Sequence, residues 1–129
     1  MIAHVTGLDA AVRIAALDTR ALDLASAFWP GPLTLVAPVR DRAAVCDLAR
    51  AGLDTVAVRV PDHPVAQAVL RRFGRPIAAP SANRSGRPSP TTLADALEET
   101  GPAAAIALDG GPCAIGLEST VVALLMKPA

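Results

Sequence analysis

The strongest constraint on the fold is a strand, turn and helix unit in the middle of the chain. Residues 54–60 have the sequence DTVAVRV, an apolar run that Pro61 and Pro64 interrupt at once. Apolar residues then recur at helical spacing from Val65 to Phe73. Because the periodicity changes from that of a strand to that of a helix within a few residues, this segment predicts a β-strand followed directly by an α-helix.

The same change of periodicity recurs along the chain. The predicted strands are Ile2 to Val5, Leu33 to Val39, Asp54 to Val60, Ile77 to Ala79, Ala104 to Leu108 and Ser119 to Leu125. The predicted helices are Leu8 to Leu17, Arg20 to Phe28, Val65 to Phe73 and Thr91 to Glu99. Strands that alternate with helices indicate an α/β fold with a partly parallel sheet, in which loops at the strand ends bind ligands.

Length and composition exclude several classes of protein. The 129 residues suit one domain spanning 1–129, and its uncharged stretches are interrupted by Pro and Gly before they reach membrane-spanning length. Twelve basic and twelve acidic side chains cancel, so no general nucleic-acid-binding surface is expected. The first residues lack the regions of a signal peptide, which predicts a cytoplasmic protein. Cys46 and Cys113 form no metal-binding motif, so we expect buried, reduced thiols.

Two polar loops follow predicted strands. Pro80 to Pro88, PSANRSGRP, offers hydroxyls, an amide and backbone N–H groups that suit phosphate or carboxylate oxygens. A turn that satisfies its own backbone explains the same residues. The second loop, Asp109 to Thr120, ends in hydroxyl groups at the start of a strand, and a glycine-rich hairpin or crossover is its simpler explanation.

Arg59 is the most informative charged residue because it lies inside an apolar strand. A buried guanidinium needs a carboxylate, a phosphate or several carbonyls, and an internal salt bridge is the ordinary partner. Thr55 shares its face on a period of two, although β propensity alone explains a threonine there. His4 fits a core histidine, and His63 fits the start of a helix. No nucleophile and base pair, Walker A loop or metal-ligand spacing is found, so no catalytic residue or metal ligand is predicted.

Four stretches together resemble the motifs of one family, the YrdC-like threonylcarbamoyl-AMP synthases. They are FWPGPLTLVAP at 28–38, DTVAVRVPDHPVA at 54–66, PIAAPSANRSGRPSPTT at 76–92 and DGGPCAIGLESTVV at 109–122. The stretches occur in the family's order, and the likeness covers nearly the whole chain. Four long, ordered motifs are far more specific than one isolated glycine pattern.

The resemblance implies a twisted, open, mixed α/β sheet of the YrdC/RibB-like type with helices on its faces. It also implies a nucleotidyltransferase that forms threonylcarbamoyl-AMP from ATP, L-threonine and bicarbonate, with Mg²⁺ bridging phosphate oxygens. A separate transferase protein then uses the product for the t6A modification of tRNA. By similarity, ATP is expected to contact Thr55, Ser81, Asn83 and Ser89, and L-threonine to contact His4, Arg59, Ala79, Ser119 and Thr120.

The chain departs from the family pattern at both ends. Family members carry a Pro-Thr-Glu-Thr-like segment and a Lys-x-Arg-Pro segment before the strand matched by Ile2 to Val5. Near the other end, Ala123 takes the place of an Asp, and a later Arg-Pro-Gly segment has no counterpart. We therefore expect a partial YrdC-like domain, incomplete at its N-terminus. Its synthase activity should be impaired, since each lost charged contact is worth roughly 1.5 to 3 kcal/mol.

Two other functions stay open at the level of the sequence. A noncatalytic nucleotide- or RNA-binding remnant of the same family is one, although solvation of a helix surface explains the first three of its supporting arginines more simply. The related domain of hydrogenase-maturation carbamoyltransferases is the other, but it normally comes with zinc-finger and acylphosphatase-like segments that this sequence lacks. The arginines that support the first alternative are Arg71, Arg72, Arg75, Arg84 and Arg87.

Overall fold

A mixed five-stranded sheet is the centre of the fold. The computed structural model describes residues 1–80, 87–113 and 120–124. The strands are β1 (Ile2–His4), β2 (Leu33–Pro38), β3 (Thr55–Arg59), β4 (Ile77–Ala79) and β5 (Thr120–Ala123), in the spatial order β4-β1-β3-β2-β5. Strand β1 runs parallel to β3, and β2 runs parallel to β5. The pairs β1–β4 and β2–β3 are antiparallel, so the prediction of an open, mixed α/β sheet is confirmed.

Four helices connect or follow the strands, and side chains cap three of them. They are α1 (Leu8–Ile14), α2 (Thr19–Phe28), α3 (Pro64–Phe73) and α4 (Leu93–Thr100), and a short 3-10 helix, Gly101–Ala103, follows α4. Asp18 accepts a hydrogen bond from the backbone N–H of Ala21, and Nδ1 of His63 accepts one from Val65. Such caps satisfy N–H groups that the first helical turn leaves unpaired. The prediction that His63 begins a helix is therefore confirmed.

One face of the sheet forms the hydrophobic core, because residues alternate along each strand. In β3, Val56 and Val58 are buried, and they pack in one cluster with Ala11 and Ile14 of α1. A second cluster joins Ala21 and Ala25 of α2 to Leu33 and Leu35 of β2. Trp29 and Leu17 contact both clusters. Helices α1 and α2 therefore cover this face. We call the opposite face, which carries Thr55 and Arg59 of β3, the open face.

The chain divides into two compact units. The first contains residues 1–79 and 119–129 and includes the whole sheet, while the second contains residues 80–118 and includes α4. Within the second unit, Arg87 forms an ion pair with Glu99 at 2.9 Å. The backbone N–H of Cys113 also donates to the carbonyl of Thr91 at 2.8 Å. The prediction that residues 1–129 form a single domain stays a prediction.

Three local predictions are wrong. Residues 104–108 form no strand, and Ile106 is 81% exposed, because an apolar run becomes a strand only where another strand offers its backbone. Helix α1 ends at Ile14 instead of Leu17, since Ala15 forms a β-bridge with Val39. Cys46 and Cys113 are exposed rather than buried. They lie in irregular segments outside the two core clusters.

A buried arginine organises the loop between β2 and β3. The side chain of Arg50 is 5% exposed, and its Nε donates to the carbonyl of Val45 at 2.9 Å. Its two terminal nitrogens bond to the carbonyl of Leu53 and to the carboxylate of Asp47. These contacts stabilise the chain directly before β3 begins.

Across the segments that the structure describes, no helix is long and apolar enough to span a membrane.

The turn between α2 and β2 leaves no room for a side chain at Gly31. A Cβ atom there would lie 2.5 Å from the carbonyl oxygen of Phe28, which is backbone and has little freedom to move. We expect G31A to lower the free energy of unfolding by about 1–3 kcal/mol, as overpacking does. Urea denaturation measures the change.

The control for this substitution is G101A. Gly101 has a helical φ of −46°, and an added Cβ would meet nothing within 4 Å. G101A should therefore leave the midpoint of unfolding nearly unchanged or raise it slightly. Equal midpoints for G31A and the unmodified chain would show that the turn tolerates a methyl group.

Candidate functional site

The open face of the sheet carries a row of side chains that crosses all five strands. His4 of β1 pairs with Arg59 of β3, and Arg59 pairs with Thr34 of β2. Ile77 of β4 and Val121 of β5 complete the row at its two ends. Side chains at paired positions lie on the same face of a sheet. The strand register therefore brings together a histidine, an arginine and a threonine from distant parts of the sequence.

The Arg59 guanidinium is held by a backbone carbonyl and not by a carboxylate. Its Nε donates to the carbonyl oxygen of Gly31 at 3.0 Å, and the side chain is half-buried. Among the described residues, no acidic side chain forms an ion pair with it, so the expected internal salt bridge is not found there. Because one nitrogen is fixed by Gly31, the guanidinium has a defined orientation, and its positive charge stays available to an anion.

His4 lies beside Arg59 and favours the neutral form. Its Nδ1 donates to the carbonyl oxygen of Ile2 at 3.0 Å. Burial lowers the pKa of His4 below its ordinary value, and the positive charge of Arg59 lowers it further. The carbonyls of Ile2 and Ile77 oppose this effect without reversing it. The row therefore holds a permanent cation next to a neutral imidazole at neutral pH.

Thr55 and Ala79 share the open face with His4 and Arg59. Thr55 lies four residues before Arg59 on β3, and Ala79 pairs with Ile2, which lies two residues before His4 on β1. Both are partly exposed. The structure therefore places four of the nine predicted contact residues on one surface of the sheet. Their roles toward ATP or threonine stay predictions.

The structure describes two of the other five predicted contact residues, Thr120 and Ser89. Thr120 pairs with Leu33, so strand alternation assigns it to the same side of the sheet as the helix-covered residues Leu33 and Leu35. Ser89 is half-buried in the second compact unit. Ser81, Asn83 and Ser119 lie outside the described residues. In the parts of the chain that are described, no three His, Cys, Asp or Glu side chains are grouped to hold a metal ion.

Thr34 is a polar residue of this surface that the sequence analysis missed. Its exposure is 0%, and its Oγ1 has no hydrogen-bond partner among the described residues. A hydroxyl inside the apolar run 33–39 was the available signal, of the same kind that drew attention to Arg59. A buried hydroxyl without a partner reduces stability, and it lies next to Arg59 in the row.

Replacing this hydroxyl tests whether it is unpaired. T34V keeps the shape of the side chain and removes an unpaired polar group, so we expect the free energy of unfolding to rise by about 1 kcal/mol. Urea denaturation gives the value. T34S is the matched control, because it keeps the hydroxyl and loses a buried methyl group, and it should lower stability. A lower stability for T34V would show that Oγ1 has a partner in solution.

Burial of His4, together with the positive charge of Arg59, makes stability depend on pH. Since the folded chain lowers the pKa of His4, the unfolded chain binds a proton there more readily below its own pKa of about 6.5. The free energy of unfolding should therefore fall as pH drops from neutral through this range. H4N should show a shallower fall, measured by urea denaturation at several pH values.

The charge of Arg59 also affects the titration of the imidazole itself. R59M removes the neighbouring positive charge, so the pKa of His4 should rise, as measured by NMR of the ring protons. R72M is the control, because Arg72 lies in the last turn of α3 and is exposed. An unchanged pKa of His4 in R59M would mean that the two side chains do not interact.

Comparison with known proteins identifies the family. The Sua5/YciO/YrdC family model, described as "Telomere recombination", matches residues 1–129. The chain is 50% identical over 103 residues to the threonylcarbamoyl-AMP synthase of Bacillus subtilis, which covers 80% of this chain and 30% of that protein. The threonylcarbamoyl-AMP synthase of Schizosaccharomyces pombe is 47% identical to the chain over 109 residues. This match covers 83% of this chain and 27% of the yeast protein.

Solved structures agree in fold. The chain superposes on Pyrococcus abyssi Sua5 complexed with L-threonine with a TM-score of 0.88 and 44% identity. That match covers 95% of this chain and 36% of the Sua5 chain, so this chain spans roughly a third of the relatives it matches. A sheet with the same architecture, the ordered motifs and a family match over the full sequence agree with one another. The chain therefore belongs to the Sua5/YciO/YrdC family.

Proposed function

We propose that this chain is part of a threonylcarbamoyl-AMP synthase and that the open face of its sheet binds the carboxylate of L-threonine. The observation that supports this most directly is Arg59, a fixed guanidinium without an ion pair among the described residues. A carboxylate is the anion that a guanidinium binds with the best geometry. The relatives' names and the threonine complex of Sua5 supply the substrate class.

The carboxylate and the ammonium group of threonine meet different side chains on this face. Its carboxylate pairs with the terminal nitrogens of Arg59, because Nε is already bound to Gly31. The ammonium group avoids a second positive charge, since the pKa of His4 is lowered by burial and by Arg59. A neutral imidazole does not repel the ammonium. It is also a base that can accept the proton that the amine must lose before it attacks carbon.

The overall reaction joins three substrates. The threonine nitrogen forms a bond to the carbon of bicarbonate with loss of water, which gives N-carboxythreonine. An oxygen of this new carbamate group then attacks the α-phosphorus of ATP and displaces pyrophosphate, while the original carboxylate of threonine stays on Arg59. No covalent intermediate on the protein is needed, so positioning and charge stabilisation supply the catalysis. The proposed ATP contacts are Thr55, Ser81, Asn83 and Ser89. Those to threonine are His4, Arg59 and Ala79 on the open face, and the adjacent pair Ser119 and Thr120, of which Thr120 begins β5. Because Thr120 lies on the side of Leu33, its proposed contact rests on the family resemblance and not on its place in the sheet.

Mg²⁺ and the wider role of the protein belong to the same proposal. If Mg²⁺ accompanies ATP, phosphate oxygens would hold it, because Mg²⁺ prefers hard oxygen ligands. The activated product is consumed in the t6A modification of tRNA by a separate transferase. A cytoplasmic location fits the reaction because ATP and tRNA are found there.

Binding of RNA by the arginines is the weaker candidate. Arg75 lies over the ring of Phe73 at 4.8 Å, and Arg87 pairs with Glu99 at 2.9 Å. Two of the five arginines thus have partners within the chain. Arg71 and Arg72 lie in the last turn of α3, where a helix favours positive side chains in any case.

Threonine binding tests the proposal on this chain directly. Isothermal titration calorimetry should detect binding of L-threonine, and R59M should weaken it about tenfold or more, since a charge-assisted contact is worth roughly 1.5–3 kcal/mol. Threoninamide, which lacks the carboxylate, should bind the unmodified chain as weakly as threonine binds R59M. R72M is the matched control and should bind threonine normally.

Product formation is the second measurement. ATP, threonine and labelled bicarbonate, incubated with this chain, should give an AMP-linked product and pyrophosphate more slowly than the threonylcarbamoyl-AMP synthase of Bacillus subtilis does. Equal threonine affinity for R59M and the unmodified chain would contradict the assignment of Arg59. Binding of tRNA without any affinity for threonine would favour the RNA-binding alternative.

A further inference from the structure

A cavity lies on the other side of the sheet from the Arg59 row. Its volume is about 410 Å³, which falls within the range of roughly 300–1,000 Å³ common for small-molecule sites. It opens where the parallel strands β1 and β3 end, between the loops that follow them and the C-terminal part of α2. All of its lining residues belong to the first compact unit.

Strand alternation separates this cavity from the proposed threonine face. Val60, in its wall, directly follows Arg59 and belongs to the buried core cluster under α1. Ala25 and Ser26 of α2 form another wall, and α2 packs on the helix-covered face. None of the residues placed in the Arg59 row lines the cavity. A ligand bound there would not occupy the threonine face.

The cavity wall carries two opposite charges without partners. Asp62 follows β3, and Arg71 lies in the last turn of α3. Within the described parts of the chain, neither side chain forms an ion pair or a hydrogen bond. Both are exposed, so water solvates them in the free protein. Their common cavity offers one anionic and one cationic contact to the same small ligand.

Gln67 adds a fixed polar group between these charges along α3. Its side chain is 8% exposed, and its Nε2 donates to the carbonyl oxygen of Pro61 at 2.6 Å. Because the carbonyl of Pro61 can only accept, the amide atom bonded to it is the nitrogen Nε2, and the oxygen Oε1 is the acceptor that remains. Oε1 has no hydrogen-bond partner among the described residues. Oε1 is closed to solvent, so Gln67 shapes the wall of the cavity through its bond to Pro61 and does not itself offer a ligand contact.

The apolar part of the wall is formed by Trp29, Leu8 and Pro30. Trp29 is oriented by its own hydrogen bond, because its Nε1 donates to the carbonyl of Leu33 at 2.7 Å. The indole is therefore a fixed surface against which a ligand side chain can pack. An apolar wall with a few polar groups is the usual composition of a small-molecule site.

We propose that this cavity is a second ligand site, which binds a free α-amino acid with an apolar side chain. Arg71 pairs with the carboxylate, and Asp62 pairs with the ammonium group. The apolar side chain packs on Trp29 and Leu8. A simple anion is disfavoured because it would meet Asp62, and a simple cation is disfavoured because it would meet Arg71.

The only tryptophan of the chain is Trp29, so its fluorescence reports on the cavity directly. L-leucine, added to the 129-residue chain, should change the Trp29 emission in a saturable way. D62N and R71M should each weaken the apparent affinity about tenfold or more, as loss of a charge-assisted contact does. D23N and R72M are the matched controls, because both positions are exposed on α2 and α3 outside the cavity wall.

Two ligand analogues separate a zwitterion site from simpler alternatives. 4-Methylpentanoate lacks the ammonium group of leucine and 3-methylbutylamine lacks the carboxylate, so both should bind about tenfold or more weaker than leucine. Equal affinity for either analogue would overturn the proposal in favour of an ion site or an apolar cleft. It would also be overturned by a response that survives D62N and R71M, or by no response to leucine.

R59M distinguishes this site from the proposed threonine site. The leucine response should persist in R59M, while threonine binding at the Arg59 row is lost. Loss of the leucine response in R59M, in a chain that remains folded by circular dichroism, would show that there is only one amino acid site and would overturn the proposal. Failure of threonine binding alone would leave the leucine result unaffected.

Discussion

The link between the α2–β2 turn and strand β3 is the interaction on which the site depends. Gly31 donates its backbone N–H to the carbonyl of Val60 at 2.9 Å and accepts from Nε of Arg59 at 3.0 Å. The same turn leads into β2, which forms five registered pairs with β3. A side chain at position 31 would clash with the backbone of Phe28. The need for glycine therefore follows from the close approach that also orients the guanidinium.

Because side chains alternate along β3, one face of this strand carries core residues and the other carries the polar residues of the site. Val56 and Val58 face the helices and contribute to the core, while Thr55 and Arg59 face the opposite side. Because the period is two, a shift of one residue in the pairing of β3 would bury the guanidinium and expose the valines. Hydrophobic burial on one face thus determines the placement of polar chemistry on the other. The register of β3 is therefore sufficient to place Arg59 on this face.

Much of this arrangement was predictable from local pattern, and the rest depends on pairing. The alternating run 54–60 and the cap at His63 are local signals, and both predictions are confirmed. The run 104–108 has equally apolar residues but forms no strand pairing with the described residues, so local pattern alone was misleading there. The face of Thr120 and the burial of Thr34 follow from their registers with Leu33 and Arg59. Strand register cannot be read from local sequence pattern, because it depends on contacts between residues that are far apart in the sequence.

The electrostatics of the row also follow from register, and they limit what this face can bind. His4 and Arg59 are neighbours only because β1 and β3 pair in parallel at these positions. Two adjacent cations on a half-buried surface would repel each other, so the lowered pKa of His4 leaves a single positive charge. One guanidinium balances one carboxylate. A triphosphate carries more negative charge than one guanidinium can neutralise, so the row by itself does not balance the charge of a nucleotide.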